Sequence, residues 1–225
     1  VLATQAKSFA EADSATNKFA GSTVLDVANR MASEYNAFAL PELTLIDEHV
    51  QLGRTVYFQD NQLIGYFNRE QSRGYLAAVY TIRNGVMVLD IPDIGTISLK
   101  LENTSSKITA DIVDDVPHFQ IEVSCKAYIS EINQDLRKKL SLDVYEKFET
   151  ALNEKLKLQI ESAVEQAVIR DSTDIFNFDV ALQQQQTEYW KVHRDSWAQE
   201  LAKIKYTVNV TSSVDRVQQE ASPAF

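Results

Sequence analysis

The sequence predicts an α+β fold: an antiparallel or mixed β-sheet covered by a long helix, with shorter helices toward the C-terminus. Three observations predict it. From Val86 to Ile132 one strand-like run follows another, with turn residues between them. Residues 141–169 then carry an apolar stripe at helical period with no proline or glycine inside. Residues 203–214, "KIKYTVNVTSSV", alternate again. Strands, then helices, then a returning strand indicate α+β rather than a βαβ repeat.

The elements follow in order. Ser22 and Thr23 can cap a helix over 22–38 whose apolar residues Leu25, Ala28, Met31, Ala32, Tyr35 and Phe38 recur at helical spacing, with Pro41 closing it. "LTLID" follows as a short strand. From Gly53 the period becomes two: "RTVYFQ" and "QLIGYF" read as a hairpin around Asp60 and Asn61. Residues 68–80 form a short helix or turn to another layer. "VMVLDI", "TISLKLE", "KITADIV" and "HFQIEVSCKAYISEI" read as four strands divided by Pro92, Gly95, "NTSSK" and Pro117. In the last of them Phe119, Ile121, Val123 and Cys125 share one face, as one covered face requires. Tyr145, Phe148, Leu152, Leu156, Ile160, Val164 and Ala167 make the helical stripe that covers it.

Composition narrows the function. The net charge of −10 argues against nucleic acid, which needs a concentrated Lys/Arg footprint. The densest basic run, Arg137 to Lys139, is flanked by acids. No window approaches the roughly 18 apolar residues of a spanning helix. The first residues lack the pattern of a signal peptide and no methionine opens the chain, so it reads as a piece of something longer. Cys125 is the single cysteine, which excludes an internal disulfide and a multi-cysteine zinc site. The six glycines are scattered at or before Gly95, so no phosphate-cradling loop exists.

Candidates for chemistry are few. A triad would need His49, His118 or His193 as its base, and none lies in a nucleophile-elbow context. Neighbouring Asp47, Glu48 and His49 point to alternate faces of an extended segment and do not converge locally. Asp111, Asp114 and Asp115 could hold a cation weakly but read as a solvated turn. Asn103 and Asn209 open short glycosylation patterns of little weight. The stretch "DIFNFDVALQQQQTEYWKVHRDSWAQE", residues 174–200, concentrates both tryptophans, His193 and a run of four glutamines. Trp190, Trp197, Leu201 and Ile204 fall on one face if the segment is helical, and such a stripe is normally core. The functional reading is an aromatic pocket of Tyr189, Trp190 and Trp197.

Two segments together resemble the Ger(x)C spore-germination proteins. "VYFQDNQLIGYFNREQSRG" carries Leu63 and Gly65, then Glu70, Arg73 and Gly74, in the family's "L-x-G…E-x-x-R-G" order. Asp174, Ile175, Phe176 and Phe178, followed by Trp190 and Trp197, match its "D-I-F-x-F" and spaced tryptophans. Asp179 stands where the family usually has glycine, and the glycine after the last strand is absent. The resemblance implies the C subunit of a nutrient germinant receptor, a lipoprotein at the spore inner membrane beside A and B subunits. The family has no established enzymatic activity, and the residues themselves supply no motif for a cofactor or a metal. The lipid-anchored N-terminal part would lie outside this chain: residues 1–48 would be the remnant of a preceding domain, 49–217 the C-terminal domain and 218–225 a tail. The motif residues would be structural, with Gly65 at a close backbone approach and Glu70 pairing with Arg73 across one helical turn. The runner-up is a solute-binding module that senses a nutrient directly.

Overall fold

The computed structural model describes residues 24–32, 35–46, 49–82, 85–131 and 140–215. The expected Ser22–Thr23 cap, the Arg137–Lys139 run, Asp47, Glu48 and the tail from 218 lie outside them. The elements are α1 (Val24–Met31), β1 (Ala37–Ile46), β2 (His49–Gln59), β3 (Gln62–Phe67), α2 (Arg69–Val79), β4 (Gly85–Ile91), β5 (Gly95–Val113) and β6 (Val116–Glu131). After these come α3 (Leu142–Val164), a π-helical turn (Glu165–Arg170), α4 (Phe178–Gln185), α5 (Thr187–His193), a 3₁₀ turn (Arg194–Ser196), α6 (Trp197–Leu201) and β7 (Lys205–Asp215).

Two sheets form, β1-β2-β3 and β4-β5-β6-β7, antiparallel except for the parallel β6–β7 pair. The expected α+β class and mixed sheet are therefore observed. Asp60 and Asn61 both take positive φ, as do Asp114 and Asp115, which gives each hairpin the twist that its strands need. Asn68 and Gln71 exchange side-chain and backbone hydrogen bonds in a capping box that starts α2. The core lies between the four-stranded sheet and α2–α3. Phe119, Ile121, Val123 and Cys125 are buried on one side and Phe148, Leu152, Leu156 and Ile160 on the other.

The structure corrects four expectations. The helix over 22–38 ends at Met31; Phe38 and Pro41 belong to strand β1, with a register shift beside Pro41 that accommodates its missing N–H. Burial in a sheet overrides the helical spacing there: Ala37 and Ala39 face the core. "TISLKLE" and "KITADIV" are one strand, because the polar residues between them point mostly from the uncovered face while their backbone pairs with β6. The long helix changes to a π turn at Glu165. The tryptophans sit on two short helices with a 3₁₀ turn between, yet Trp190, Trp197, Leu201 and Ile204 are all buried.

Helical side chains cover backbone groups at several sheet edges. Lys155 Nζ donates to Val88 O on β4 at 2.9 Å, and Gln166 Nε2 to Tyr66 O on β3 at 2.9 Å. β5 overhangs the short β4, and there Gln185 takes the place of a strand: its Oε1 accepts from Ala110 N at 3.0 Å and its Nε2 donates to Ile108 O at 3.1 Å. Gln186 Nε2 adds a bond to Ala110 O at 3.1 Å. An unpaired edge invites foreign strands, and these side chains occupy it.

Candidate functional site

The residues of the "D-I-F-x-F" motif and the second tryptophan gather around one buried carboxylate. Asp174 is fully buried and accepts the backbone N–H groups of Phe176 (3.2 Å), Phe178 (3.1 Å) and Asp179 (2.7 Å). Trp197 Nε1 donates to the same carboxylate at 3.2 Å. Asn177, in the left-handed region at φ 63°, precedes α4 and gives no side-chain cap, so Asp174 caps that helix from three residues further back. Phe176 meets Tyr75 edge-on, Phe178 stacks on Phe119 at 4.2 Å, and Trp197 meets both Phe119 and Trp190 edge-on. The "D-I-F-x-F…W…W" pattern is thus a cap with an aromatic cluster around it.

Arg30 of α1 approaches the same place. It donates to Asp174 O at 3.1 Å and to Ala37 O at 3.1 Å, and pairs with Asp179 at 3.3 Å. Burial raises the Asp179 carboxyl to about 7, the Asp174 charge adds to this, and Arg30 opposes it. Nothing in the spacing of the sequence joins positions 30 and 179.

A polar seam runs from here along the small sheet. Tyr35 Oη donates to Ser172 O at 2.7 Å, with Gln59 Oε1 3.2 Å away; Thr173 Oγ1 donates to Gln59. Tyr57 Oη donates to Asp171, and Gln166 Nε2 donates to Tyr57 Oη at 3.1 Å. Gln71 Nε2 reaches Gln166 Oε1 at 2.7 Å and Ser162 Oγ at 3.2 Å. Burial and the Asp171 carboxylate push the Tyr57 phenol well up, so it stays a donor. The π turn supplies Gln166, which fits the frequent use of such turns where a side chain must be re-aimed.

The glycines are close approaches. A Cβ on Gly65 would overlap the Tyr57 hydroxyl, and one on Gly74 would overlap the Gln159 carbonyl of α3. Gly74 therefore lets α2 and α3 touch through backbone. Glu70 accepts from Gln159 Nε2 rather than forming an ion pair with Arg73, which has none among the described residues. Burial lowers the Arg73 guanidinium and Glu70 offsets part of this through space.

The histidines belong to three different elements. His49 opens β2, His118 lies near the start of β6, and His193 ends α5 with its ring stacked on Tyr189 at 4.0 Å. His193 Nδ1 is 3.9 Å from Glu200. Asp111, Asp114 and Asp115 are exposed. Among the described residues no group of three or more His, Cys, Asp or Glu is placed to hold a metal, and no helix is long and apolar enough to cross a membrane. Trp190 and Trp197, 5% and 1% exposed, are core residues. The residues that spacing missed, Arg30, Tyr57, Gln166, Asp171 and Gln185, had one visible signal among them: the glutamine run.

No curated protein sequence matches the chain. The crystal structure of the GerBC protein has the same fold, with a TM-score of 0.73 at 14% identity. The match covers 84% of this chain and 60% of GerBC, so the chain spans under two thirds of that protein's length. Residues 53–218 match the sequence family described as spore germination B3/GerAC-like, C-terminal, and the chain belongs to that family.

Proposed function

We propose that the chain is the C-terminal part of a germinant-receptor C subunit, acting in spore germination without catalysis by assembling with A and B subunits. Family membership over residues 53–218 carries this reading. The inward use of the motif supports it: Asp174, Trp197, Gly65 and Gly74 are spent on capping and close packing. In this reading residues 49–217 are the C-terminal domain, with β1 contributing a strand to its small sheet. A lipid anchor in a preceding segment would hold the whole protein at the spore inner membrane. The test is deletion of residues 53–217 from the gene in spores. Loss of nutrient-triggered germination, with loss of co-purification of the partner subunits, is expected; a normal germination response overturns the proposal.

Direct nutrient sensing is the second reading, favoured by one observation. A cleft of about 430 Å³ borders Trp197 between Asn36, Gln59, Asp60, Arg194 and Asp195. Asn36 Oδ1 is buried at its rim without a donor among the described residues. A saturable change in tryptophan fluorescence on adding amino acids or sugars, lost in Asn36→Leu, would establish this reading; a flat titration removes it.

A further inference from the structure

The edge of β7 has one backbone group covered by a helical side chain, at its C-terminal end. Glu149 Oε1 accepts from Val214 N at 3.0 Å, which closes the C-terminal end of β7. That bond also fixes the phase of the strand. β7 pairs with β6 without a register shift, so the backbone groups of alternate residues point away from the sheet together with those of Val214. Those residues are Tyr206, Val208, Val210 and Ser212. Their outward N–H and C=O groups have no partner among the described residues. The strand carries no proline, and its charges, Lys205 and Asp215, stand at its two ends. Among the described residues, the usual devices against edge pairing are therefore missing over the middle of β7.

We propose that β7 pairs antiparallel with β7 of a second copy, about a two-fold axis at Asn209, joining the two four-stranded sheets into one. The open positions themselves select this register: Tyr206 lies opposite Ser212 and Val208 opposite Val210, leaving the Glu149–Val214 bond undisturbed. About eight backbone hydrogen bonds form between the copies. On the outer face Thr207 faces Thr211, Asn209 faces its own counterpart, and Lys205 lies diagonal to Asp215 of the second copy. That diagonal is within reach of a lysine and would bring a second cation to Asp215, which Lys126 of its own chain holds at 3.3 Å. On the inner face the half-exposed Tyr206 and Val210 gain apolar neighbours across the axis. An isologous contact of this kind is self-complementary and closes at two copies.

Sedimentation equilibrium of the whole chain tests the association, and cysteine pairing tests the register. The chain is expected to sediment as a dimer that dissociates on dilution. Asn209→Cys should oxidise to a disulfide-linked dimer far faster than Thr211→Cys, because only position 209 meets itself at a non-hydrogen-bonded pair. Cys125 is buried and does not compete. The double variant Thr207→Lys, Thr211→Lys sets like charges opposite each other and should weaken dimerisation roughly ten-fold or more. Thr207→Lys with Thr211→Glu should restore it. Each variant's fold is checked by circular dichroism, and these side chains point to solvent. A wild-type monomer at every concentration, equal oxidation of the two cysteine variants, or a charge pair that fails to rescue overturns the proposal.

Discussion

The side chain of Gln185 is bonded to Ala110 as a neighbouring strand would be, accepting its N–H at 3.0 Å while donating to Ile108 O at 3.1 Å. A primary amide has the same donor and acceptor as a peptide unit, so it completes the ladder where β4 stops short. The glutamine run is therefore an edge cover.

Gln185→Leu should leave the Ala110 N–H and the Ile108 carbonyl without their protein partner. Water replaces part of the loss, so urea denaturation should show about 1–2 kcal/mol of destabilisation. The variant should also aggregate more readily through the uncovered strand, read by light scattering. An unchanged midpoint together with unchanged scattering would remove the role assigned to Gln185.

Trp197→Phe keeps most of the aromatic packing but removes the indole donor to Asp174. A hydrogen bond to a buried carboxylate contributes about 1.5–3 kcal/mol, and a loss of that order is expected. Asp174→Ala should cost more, because three backbone N–H groups at the start of α4 lose their acceptor as well.

Gly74→Ala sets two effects against each other. Alanine favours helix by about 1 kcal/mol over glycine. Its Cβ would press on the Gln159 backbone, which cannot yield as a side chain can. Overpacking costs about 1–3 kcal/mol, so net destabilisation is expected. A more stable variant in thermal unfolding would show that the two helices separate freely.

The Asp179 carboxyl holds its proton more tightly in the fold, up to about 7, than in the unfolded chain. Its contribution to stability is thus complete below the unfolded carboxylate range and is lost as pH rises through about 7. Urea midpoints measured from about pH 5 to about pH 8 should fall for the wild type, and Asp179→Asn should flatten that fall. A parallel slope in the variant would place the titration elsewhere.

Cys125 is buried, and burial pushes its thiol up to about 12. It should react with a thiol reagent only as fast as the chain opens, and promptly in denaturant. Rapid labelling of the folded chain would contradict the buried position.

Strand alternation, the stripe of α3 and the turn residues at Asp60–Asn61 and Asp114–Asp115 were legible because each depends on local period or local φ. Residues 22–38 misled for the same reason: Tyr35 and Phe38 fit a helical period, yet pairing with β2 makes Ala37 onward a strand. "NTSSK" looked like a loop because polarity was read as exposure, which is true of much of it but says nothing of backbone pairing. The motif residues could be named and Gly65 read as a close approach, but the partners of Glu70, Asp174 and Trp197 could not be.

The sequence by itself determined the class of fold, the covered face of β6, the burial of Cys125 and the tryptophans, and the family. These follow from hydrophobic pattern and residue type, which are properties of neighbours along the chain. Only the tertiary structure decided that Asp174 serves Trp197, that Arg30 meets Asp179, that Gly74 lies on Gln159 and that Gln185 ends a sheet. Each joins residues far apart in sequence, and its strength comes from burial, where an unmet polar group is costly. No local pattern encodes such a partner.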